Sequence, residues 1–395
     1  MIAFAASPWA RVAATVKYVV FLGGANLALL LILEMTLRLF FGLPHGIYHY
    51  RPAGDDHLLL PNAEIHLVWT PVPYTIKTNS LGLRGPEVTA EKRPGVTRII
   101  ALGDSVTEGF YVNNPGTYPI LLEQVLRAHG CPVEVLNISR GGTSIDAQTA
   151  MLRHFGFPHQ PDAVVLTFVS NDIEELYGKT LEEILEGPSL ASTPLETGEW
   201  LLFARTALGE LILDKSLEWR FEDYRRHKSE LAHPHASEAV VFPRAENFRE
   251  NAQRFLEEHA RPANGIVLYD EFSGEQLRLI NRYIEALHHL QNLCRARGID
   301  LVFAYFPDYQ EVYLPERRFP LSGMLRAACA DAGIPFVNLL PAFRAHPGEV
   351  LHFAPRDFHP NAAGNRVIAN AIAGFLVQEQ LAGTCGEPEM ARVTQ

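Results

Sequence analysis

The stretch TRIIALGDSVTEGF, residues 97–110, determines how the chain folds. Residues 97–102 form a short apolar run rich in β-branched side chains, which predicts a buried strand of a parallel sheet. The run ends in a Gly-Asp-Ser triplet whose serine is Ser105, and a helix is predicted over residues 118–129. Open α/β sheets bind ligands at the carboxyl ends of their strands, and a helix start favours negative charge. Ser105 is therefore a candidate nucleophile, although a turn with a helix-capping serine produces the same pattern.

On the carboxyl side of this stretch, apolar runs alternate with helical patterns. The runs predict strands over residues 97–102, 133–137, 163–169, 300–305 and 336–339. Helices are predicted over residues 118–129, 144–155, 274–296, 321–330 and 360–377, the last with Pro360 at its first position. Strands that alternate with helices predict an α/β fold with a doubly wound parallel sheet of about five strands.

Residues 1–50 differ from the rest because they contain an uncharged apolar run, YVVFLGGANLALLLIL, residues 18–33. As a helix this run spans about 24 Å, and its apolar flanks extend it to the thickness of a bilayer core. No small-residue cleavage site follows it, which favours an uncleaved transmembrane anchor over the alternative, a cleaved signal peptide. Arg11 and Lys17 precede the run and Arg38 follows it. The positive-inside rule therefore predicts a cytoplasmic N-terminus and a main domain outside the cytoplasm, in the periplasm.

Composition narrows the class of protein. The chain has 395 residues, of which 47% are hydrophobic and 20% are charged, so it can bury a sizeable core. Its net charge of −11 and the lack of a basic stripe argue against a nucleic-acid partner. The cysteines show no zinc-type spacing; they are Cys131, Cys294, Cys329 and Cys385. A Cys294–Cys329 disulfide is one alternative for an exported domain, and unpaired buried thiols are the other.

Turn-forming stretches between the apolar runs predict how the chain divides into regions. Short alternating runs at 65–69 and 74–78, joined by a Pro-rich turn, predict a small β hairpin. The turn-rich NSLGLRGPE, residues 79–87, then leads into the first strand of the sheet. The regions expected are an anchor over 1–43, a linker with the hairpin over 44–96, a main domain over 97–380 and a tail over 381–395.

A long segment, residues 174–250, interrupts the alternation directly after the third strand. Its part over 200–221 mixes leucines and aromatics with charged residues. Because the segment enters at the carboxyl end of a strand, it is either a lid that shapes the site or a peripheral packing element. His227, His233 and His235 lie in it without the spacing of metal ligands, so no metal site is predicted.

Three later stretches add polar groups to the same edge of the predicted sheet. Gly142, in NISRGG, follows the second strand, where its N–H could donate to an oxyanion. Asn171 ends the third strand, and its side-chain amide is a second candidate donor. His359 precedes the last helix as a candidate base, and Asp357 could accept from its other ring nitrogen. Each stretch also fits an ordinary turn or helix cap, but together with Ser105 they supply every part of an acyl-transfer site.

These motifs resemble the SGNH, or GDSL-type, hydrolase superfamily. GDSVTEG matches its first block, Gly142 and Asn171 fit the second and third, and DFHPNAAG fits the last, over roughly residues 79–376 outside the insert. An anchor followed by NSLGLRG and RIIALGDS also resembles membrane-anchored bacterial members. Two features depart from the pattern. Val169 stands where the third block usually has glycine, and the last block reads Asp-x-His where Asp-x-x-His is frequent.

The resemblance implies a flavodoxin-like SGNH fold and a serine esterase without a cofactor. Ser105 would be the nucleophile, His359 the base and Asp357 its orienter, with the Ser105 and Gly142 N–H groups and the Asn171 amide as oxyanion donors. Expected partners are a carboxylic ester, with O-acetylated cell-surface glycans as candidate substrates, and the lipid bilayer.

A glycan O-acyltransferase using the same residues and a catalytically idle glycan-binding scaffold are the alternatives. Water is the predicted acceptor because residues 174–250 are rich in charges and lack a long apolar face.

Overall fold

The computed structural model describes residues 8–41, 58–59, 61–67, 72, 74–188, 206, 208–209, 249–250, 271–353, 357 and 359–386. Most of the predicted insert, including its three histidines and nearly all of residues 200–221, lies outside the described residues. The N-terminal elements are α1 (Pro8–Phe41), β1 (Glu64–Leu67) and β2 (Tyr74–Lys77).

The elements of the main domain follow in chain order. Its first half comprises β3 (Thr97–Gly103), α2 (Ser105–Glu108), α3 (Tyr118–Ala128), β4 (Val133–Ser139), α4 (Ile145–Met151), β5 (Ala163–Phe168), α5 (Asn171–Glu174) and α6 (Leu181–Glu186). Its second half comprises α7 (Gly274–Arg295), β6 (Asp300–Tyr305), α8 (Tyr309–Tyr313), α9 (Leu321–Ala332), β7 (Phe336–Asn338), α10 (Leu340–Arg344) and α11 (Ala362–Gln378).

Strands β3 to β7 form one parallel sheet in the order β4-β3-β5-β6-β7. Numbered along the chain, this is the flavodoxin-like order 2-1-3-4-5. The predicted doubly wound sheet of five strands is confirmed. From β3 the chain passes to β4 on one side of it and then returns to β5 on the other side. The carboxyl end of β3 therefore lies at the topological switch point where such sheets bind ligands.

The central strand β3 is apolar because both of its faces are covered. Ile99, Ile100, Ala101 and Leu102 are fully buried. Ile99 and Ala101 join the core cluster beneath α3 and α11, whereas Ile100 and Leu102 join the cluster beneath α4, α7 and α9. Successive side chains of a strand point to opposite faces, so one apolar run supplies both cores.

The predicted hairpin is present, and it packs against the main domain. Strands β1 and β2 pair antiparallel. Tyr74 and Ile76 of β2 are buried in the same core cluster as Leu59 and Leu83. Within residues 44–96, the described part therefore belongs to the packed body of the protein.

Helix α1 contains a span that is long and apolar enough to cross a membrane, Val16–Leu39. Its 24 residues correspond to about 36 Å of helix, which covers a bilayer core of about 30 Å. Near its end, Glu34 accepts hydrogen bonds from Arg38 at 2.7 Å and from the N–H of Leu208 at 3.0 Å.

The first part of the predicted insert packs against the main domain. Leu176 and Ile184 are buried in the core of the main domain. Lys179 forms an ion pair with Asp146 of α4 at 2.6 Å. Residues 174–188 thus pack against the main domain beside α4.

The predicted start of the last helix is wrong. Helix α11 begins at Ala362, because the Asn361 side chain caps it by accepting from the N–H groups of residues 363 and 364. Pro360 therefore lies before the helix.

Cys294 and Cys329 are free and buried, whereas a disulfide joins Cys131 to Cys385. The alternative of unpaired buried thiols is therefore confirmed for Cys294 and Cys329 and is wrong for Cys131 and Cys385.

Candidate active site

Ser105 stands directly beyond the carboxyl end of β3. Asp104 caps α2 by accepting from the Val106 N–H at 3.0 Å, which makes Ser105 the first residue of this short helix. Gly103 cannot carry a side chain here, because an added Cβ would lie 2.3 Å from Oγ1 of Thr107. The close packing of α2 on β3 thus explains the glycine of the Gly-Asp-Ser triplet.

His359 and Asp357 meet Ser105 from the opposite end of the chain. His359 Nε2 lies 2.8 Å from Ser105 Oγ. Its Nδ1 is hydrogen-bonded to Asp357 Oδ1, which also accepts from the His359 backbone N–H at 2.8 Å. The segment is held by the Asn361 cap and by a bridge between His352 and Pro360. These contacts form a continuous chain from hydroxyl to imidazole to carboxylate.

The electrostatics of these contacts favour an ion pair between the His359 imidazole and the Asp357 carboxylate. Burial lowers the pKa of His359, but the Asp357 carboxylate, together with Asp104 and Glu108, outweighs burial and raises the net value above the usual range. Burial raises the pKa of Asp357, but His359 outweighs it and the net value is lowered. An imidazole with such a partner accepts a proton more readily than a free one.

Asn171 lies beside Ser105, but its amide is already engaged. Its Nδ2 donates to Asp104 Oδ2 at 3.3 Å and to Glu175 Oε1 at 3.0 Å. Burial raises the pKa of Glu175, and the hydrogen bond from Asn171 opposes that shift. To donate to a substrate oxygen, the amide must exchange one of these two carboxylate partners.

Gly142 occupies an exposed turn after β4 with a φ of 70°, in the left-handed region that glycine adopts readily. The preceding Gly141 donates its N–H to Glu108 Oε2 at 2.7 Å, which ties this turn to α2. Gly142 is not among the residues that line the cavity at Ser105. Its role as an oxyanion donor stays a prediction.

A cavity of about 280 Å³ opens at Ser105. Besides Ser105, Asp357 and His359, it is lined by apolar and polar side chains: Val106, Val169, Ser170, Asn171, Phe306, Asp308 and Tyr309. Val169, the departure from the family glycine, thus forms part of the wall beside Asn171. Burial and the neighbouring Glu311 carboxylate raise the pKa of Asp308 to about 8.

Two aromatic residues that sequence reasoning did not single out pack on His359. The Phe110 ring stacks on the imidazole at 5.4 Å between centroids, and the Tyr111 ring meets it edge-on at 5.3 Å. They directly follow the GDSVTEG motif, yet no charge or spacing marks them in the sequence. The nearest signal was that two large aromatic residues follow a glycine turn.

Comparison with known proteins supports the same family. Residues 101–367, about two thirds of the chain, match the GDSL-like Lipase/Acylhydrolase family. The chain is also similar to the solved structure of an acetyl xylan esterase, at 13% identity and a TM-score of 0.38 over 71% of this chain and 99% of that one.

Two further solved structures resemble the chain to the same degree. A lipase/acylhydrolase from Enterococcus faecalis is 12% identical, with a TM-score of 0.38 over 72% of this chain and 96% of that one. An acetylxylan esterase from Geobacillus stearothermophilus is 12% identical, with a TM-score of 0.37 over 73% and 94%. No curated protein sequence matches the chain. From the family match, the chain belongs to the GDSL-like lipase/acylhydrolase family, a family of hydrolases that act on ester bonds.

Proposed function

We propose that the protein is a serine esterase in which Ser105 is the nucleophile, His359 the general base and Asp357 the residue that orients it. The observation that carries this proposal is the 2.8 Å contact between Ser105 Oγ and His359 Nε2, continued from Nδ1 to Asp357. The family match supports ester hydrolysis as the reaction. The position at the switch point of the sheet supports a substrate site there.

The proposed reaction has two halves. His359 Nε2 takes the Ser105 proton while Oγ bonds to the ester carbonyl carbon. The resulting oxyanion is stabilised by the Ser105 and Gly142 N–H groups and by Asn171, which releases Glu175 to donate. As the intermediate collapses, the alcohol leaves with the proton from His359. Water then attacks the acyl-enzyme with His359 again as base, and the carboxylic acid is released as His359 returns the proton to Ser105 Oγ.

We propose a small acyl group, with O-acetyl groups on cell-surface glycans as the substrates. The size of the cavity supports this choice, because about 280 Å³ lies at the low end of ligand pockets. The polar Ser170 and Asp308 side chains in its wall suit an alcohol that carries hydroxyl groups.

We further propose that residues 1–43 anchor the protein with its N-terminus in the cytoplasm and the catalytic domain, residues 97–380, outside. The apolar span Val16–Leu39 supports an anchor. The Cys131–Cys385 disulfide supports an oxidising compartment for the domain, since disulfides are rare in the cytosol. The insert and the tail over 381–395 complete the proposed organisation.

The test supplies an acetyl ester to the purified full-length protein, with and without de-acetylated glycan. Acetyl released as acetate is counted against acetyl recovered on the glycan. The proposal predicts mostly acetate in both arms. Mostly glycan-bound acetyl would make the protein an acyltransferase with the same residues. No turnover and no reaction with a fluorophosphonate probe would make it a binding scaffold.

A further inference from the structure

Tyr111 has an uncommon backbone conformation beside the proposed triad. Its φ is 63°, in the left-handed region that non-glycine residues rarely adopt. A bulky side chain persists there when its surroundings hold it, and such residues cluster at functional sites. The contacts of this side chain and the groups that hold its backbone show what it does there.

The Tyr111 side chain lies beside both members of the Asp357–His359 pair. The Asp357 carboxylate helps to raise the pKa of the Tyr111 hydroxyl, and Tyr111 in turn helps to lower the pKa of Asp357. Its ring meets the His359 imidazole edge-on, with an angle of 84° between the planes. The rings of Tyr74 and Phe353 pack edge-on against Tyr111 at 5.9 and 5.6 Å between centroids. These neighbours leave the tyrosine ring little freedom to turn away.

The backbone of the turn is held by the guanidinium of Arg84, a side chain that is 2% exposed. Nη1 donates to the carbonyl oxygens of Glu108 and Gly109, at 2.6 and 2.9 Å, and Nη2 donates to the carbonyl of Val112. One side chain thus binds carbonyls on both sides of Tyr111.

Arg84 is itself held in place by its neighbours. It belongs to the NSLGLRG segment, where Asn79 Oδ1 accepts from the N–H groups of Leu81 and Leu83 at 3.0 Å each. Its Nε donates to Asn114 Oδ1 at 3.0 Å, and its guanidinium lies over the Tyr74 ring. A segment before the sheet thereby reaches the turn that carries Tyr111.

We propose that Tyr111 is a positioning residue that holds Asp357 and His359 in the geometry needed to activate Ser105, and that Arg84 acts through it by fixing its turn. The proposal rests on the proposed function, since it assigns Tyr111 to the same triad. Neither residue touches the reacting atoms. The NSLGLRG segment then holds the turn that carries Tyr111, besides linking the anchor to the sheet.

The test compares Tyr111→Phe with wild type on p-nitrophenyl acetate across the pH range. The variant keeps the ring and loses only the hydroxyl. We expect kcat to fall on the order of tenfold with little change in KM, because the pair is less well oriented. Asp357 loses the hydroxyl that helps to lower its pKa and becomes more basic, so the acidic limb of kcat/KM moves to higher pH. Asp104, Glu108 and His352 also face His359 and are unchanged.

Tyr283→Phe is the matched control. It makes the same change at a fully buried tyrosine whose hydroxyl has no hydrogen-bond partner in the described part of the chain. We expect it to keep the wild-type rate and pH profile. If Tyr111→Phe likewise keeps both, or loses rate without moving the acidic limb, Tyr111 only packs and the proposal fails.

Arg84→Met tests the second half of the proposal. We expect a slower enzyme, and we expect the double variant with Tyr111→Phe to be about as slow as the slower single variant, because both changes act on one path. If the rate losses of the two single variants multiply in the double variant, Arg84 does not act through Tyr111. If Arg84→Met does not fold, the same comparison is made with Arg84→Lys. Fluorophosphonate labelling of the wild type separates the two proposals, since an unlabelled wild type overturns the triad itself.

Discussion

Ser105 Oγ has two acceptors within reach, His359 Nε2 at 2.8 Å and Asp104 Oδ2 at 3.1 Å. A neutral His359 offers a lone pair at Nε2, so the hydroxyl can donate its proton there. A protonated His359 has no lone pair, and the hydroxyl then turns to Asp104. In the proposed mechanism, the protonation state of one imidazole therefore decides whether Ser105 can act as the nucleophile.

Activity is expected to depend on pH through His359. Its pKa is raised above the ordinary 6.5 because Asp357, together with Asp104 and Glu108, outweighs burial, so kcat/KM should fall as the pH drops through a value above 6.5. Asp357→Asn removes the charge that raises the pKa, and the acidic limb should move to lower pH. In a serine-protease triad the same change lowers kcat by about 10⁴. A limb that stays in place in the variant would contradict the assignment of Asp357.

Asn171→Ala separates catalysis from binding at the oxyanion. Oxyanion donors act mainly in the transition state, so kcat should fall by roughly 10²–10³ with little change in KM. Steady-state kinetics on one ester measures both constants. A rise in KM at constant kcat would make Asn171 a ground-state contact. An unchanged enzyme would mean that its bonds to Asp104 and Glu175 are its whole role.

At the scale of elements, apolar periodicity predicts the sheet well. A strand that is buried on both faces must be apolar throughout, and a short apolar run such as 163–169 is typical of such a strand. The predicted strands therefore agree with β3 to β7 to within two residues at each end. Helix ends are less predictable, because more than one residue near an end is able to start or cap the helix. Asn361 caps α11, so Pro360 lies before the helix and not at its first position. The helix predicted over 144–155 changes to a π turn at Leu152–Gly156.

The candidate site likewise contains residues that a local sequence pattern predicts and residues that it does not predict. Ser105, Asn171 and His359 stand at strand or helix ends, where a local motif marks them, and the structure brings them to one cavity. Tyr111 has a positive φ in a turn whose carbonyls bind Arg84, a residue far away in the sequence. The Cys131–Cys385 pair depends on where the chain returns after α11. Such long-range contacts leave no periodic pattern in a single sequence.

The pairing of β3 with β4 includes a buried charge pair that provides a stability test. Arg98 and Glu134 are register partners, 0% and 1% exposed, with an ion pair at 2.7 Å. Glu134→Gln leaves the arginine without its counter-charge and should lower the free energy of unfolding by about 3 kcal/mol. Denaturant unfolding of the two proteins measures the difference. A loss below about 1 kcal/mol, the range of exposed pairs, would contradict the importance of this pair.

The pH dependence of that pair has a definite sign. Burial raises the pKa of Glu134, but Arg98 and Arg93 outweigh burial and the net value is lowered. The unfolded chain therefore binds the proton more tightly than the folded one. The contribution of the pair is present above the ordinary carboxyl pKa of 4.5 and is lost as the pH falls through the lower folded value.

At the scale of the whole molecule, the proposed anchor and the disulfide make one joint prediction about location. The full-length protein should stay with the membrane fraction after a high-salt wash, and a periplasmic reporter fused after Gln395 should be active. Alkylation of the denatured protein without reductant should modify the two free thiols, Cys294 and Cys329, and reductant should expose two more. A reporter active only in the cytoplasm would refute the topology, and a mature N-terminus beyond Leu33 would refute the anchor.

Covalent labelling gives the sharpest test of whether Ser105 attacks the ester. The wild type, Ser105→Ala and Ser170→Ala are treated with a fluorophosphonate and followed by intact mass and by esterase rate. Ser170 is the other serine that lines the cavity among the described residues. We expect one adduct on Ser105 with parallel loss of activity in the wild type, the same adduct in Ser170→Ala, and neither adduct nor turnover in Ser105→Ala. Ester turnover that persists in purified Ser105→Ala, or an adduct on another residue, would contradict the assignment of Ser105 as the nucleophile.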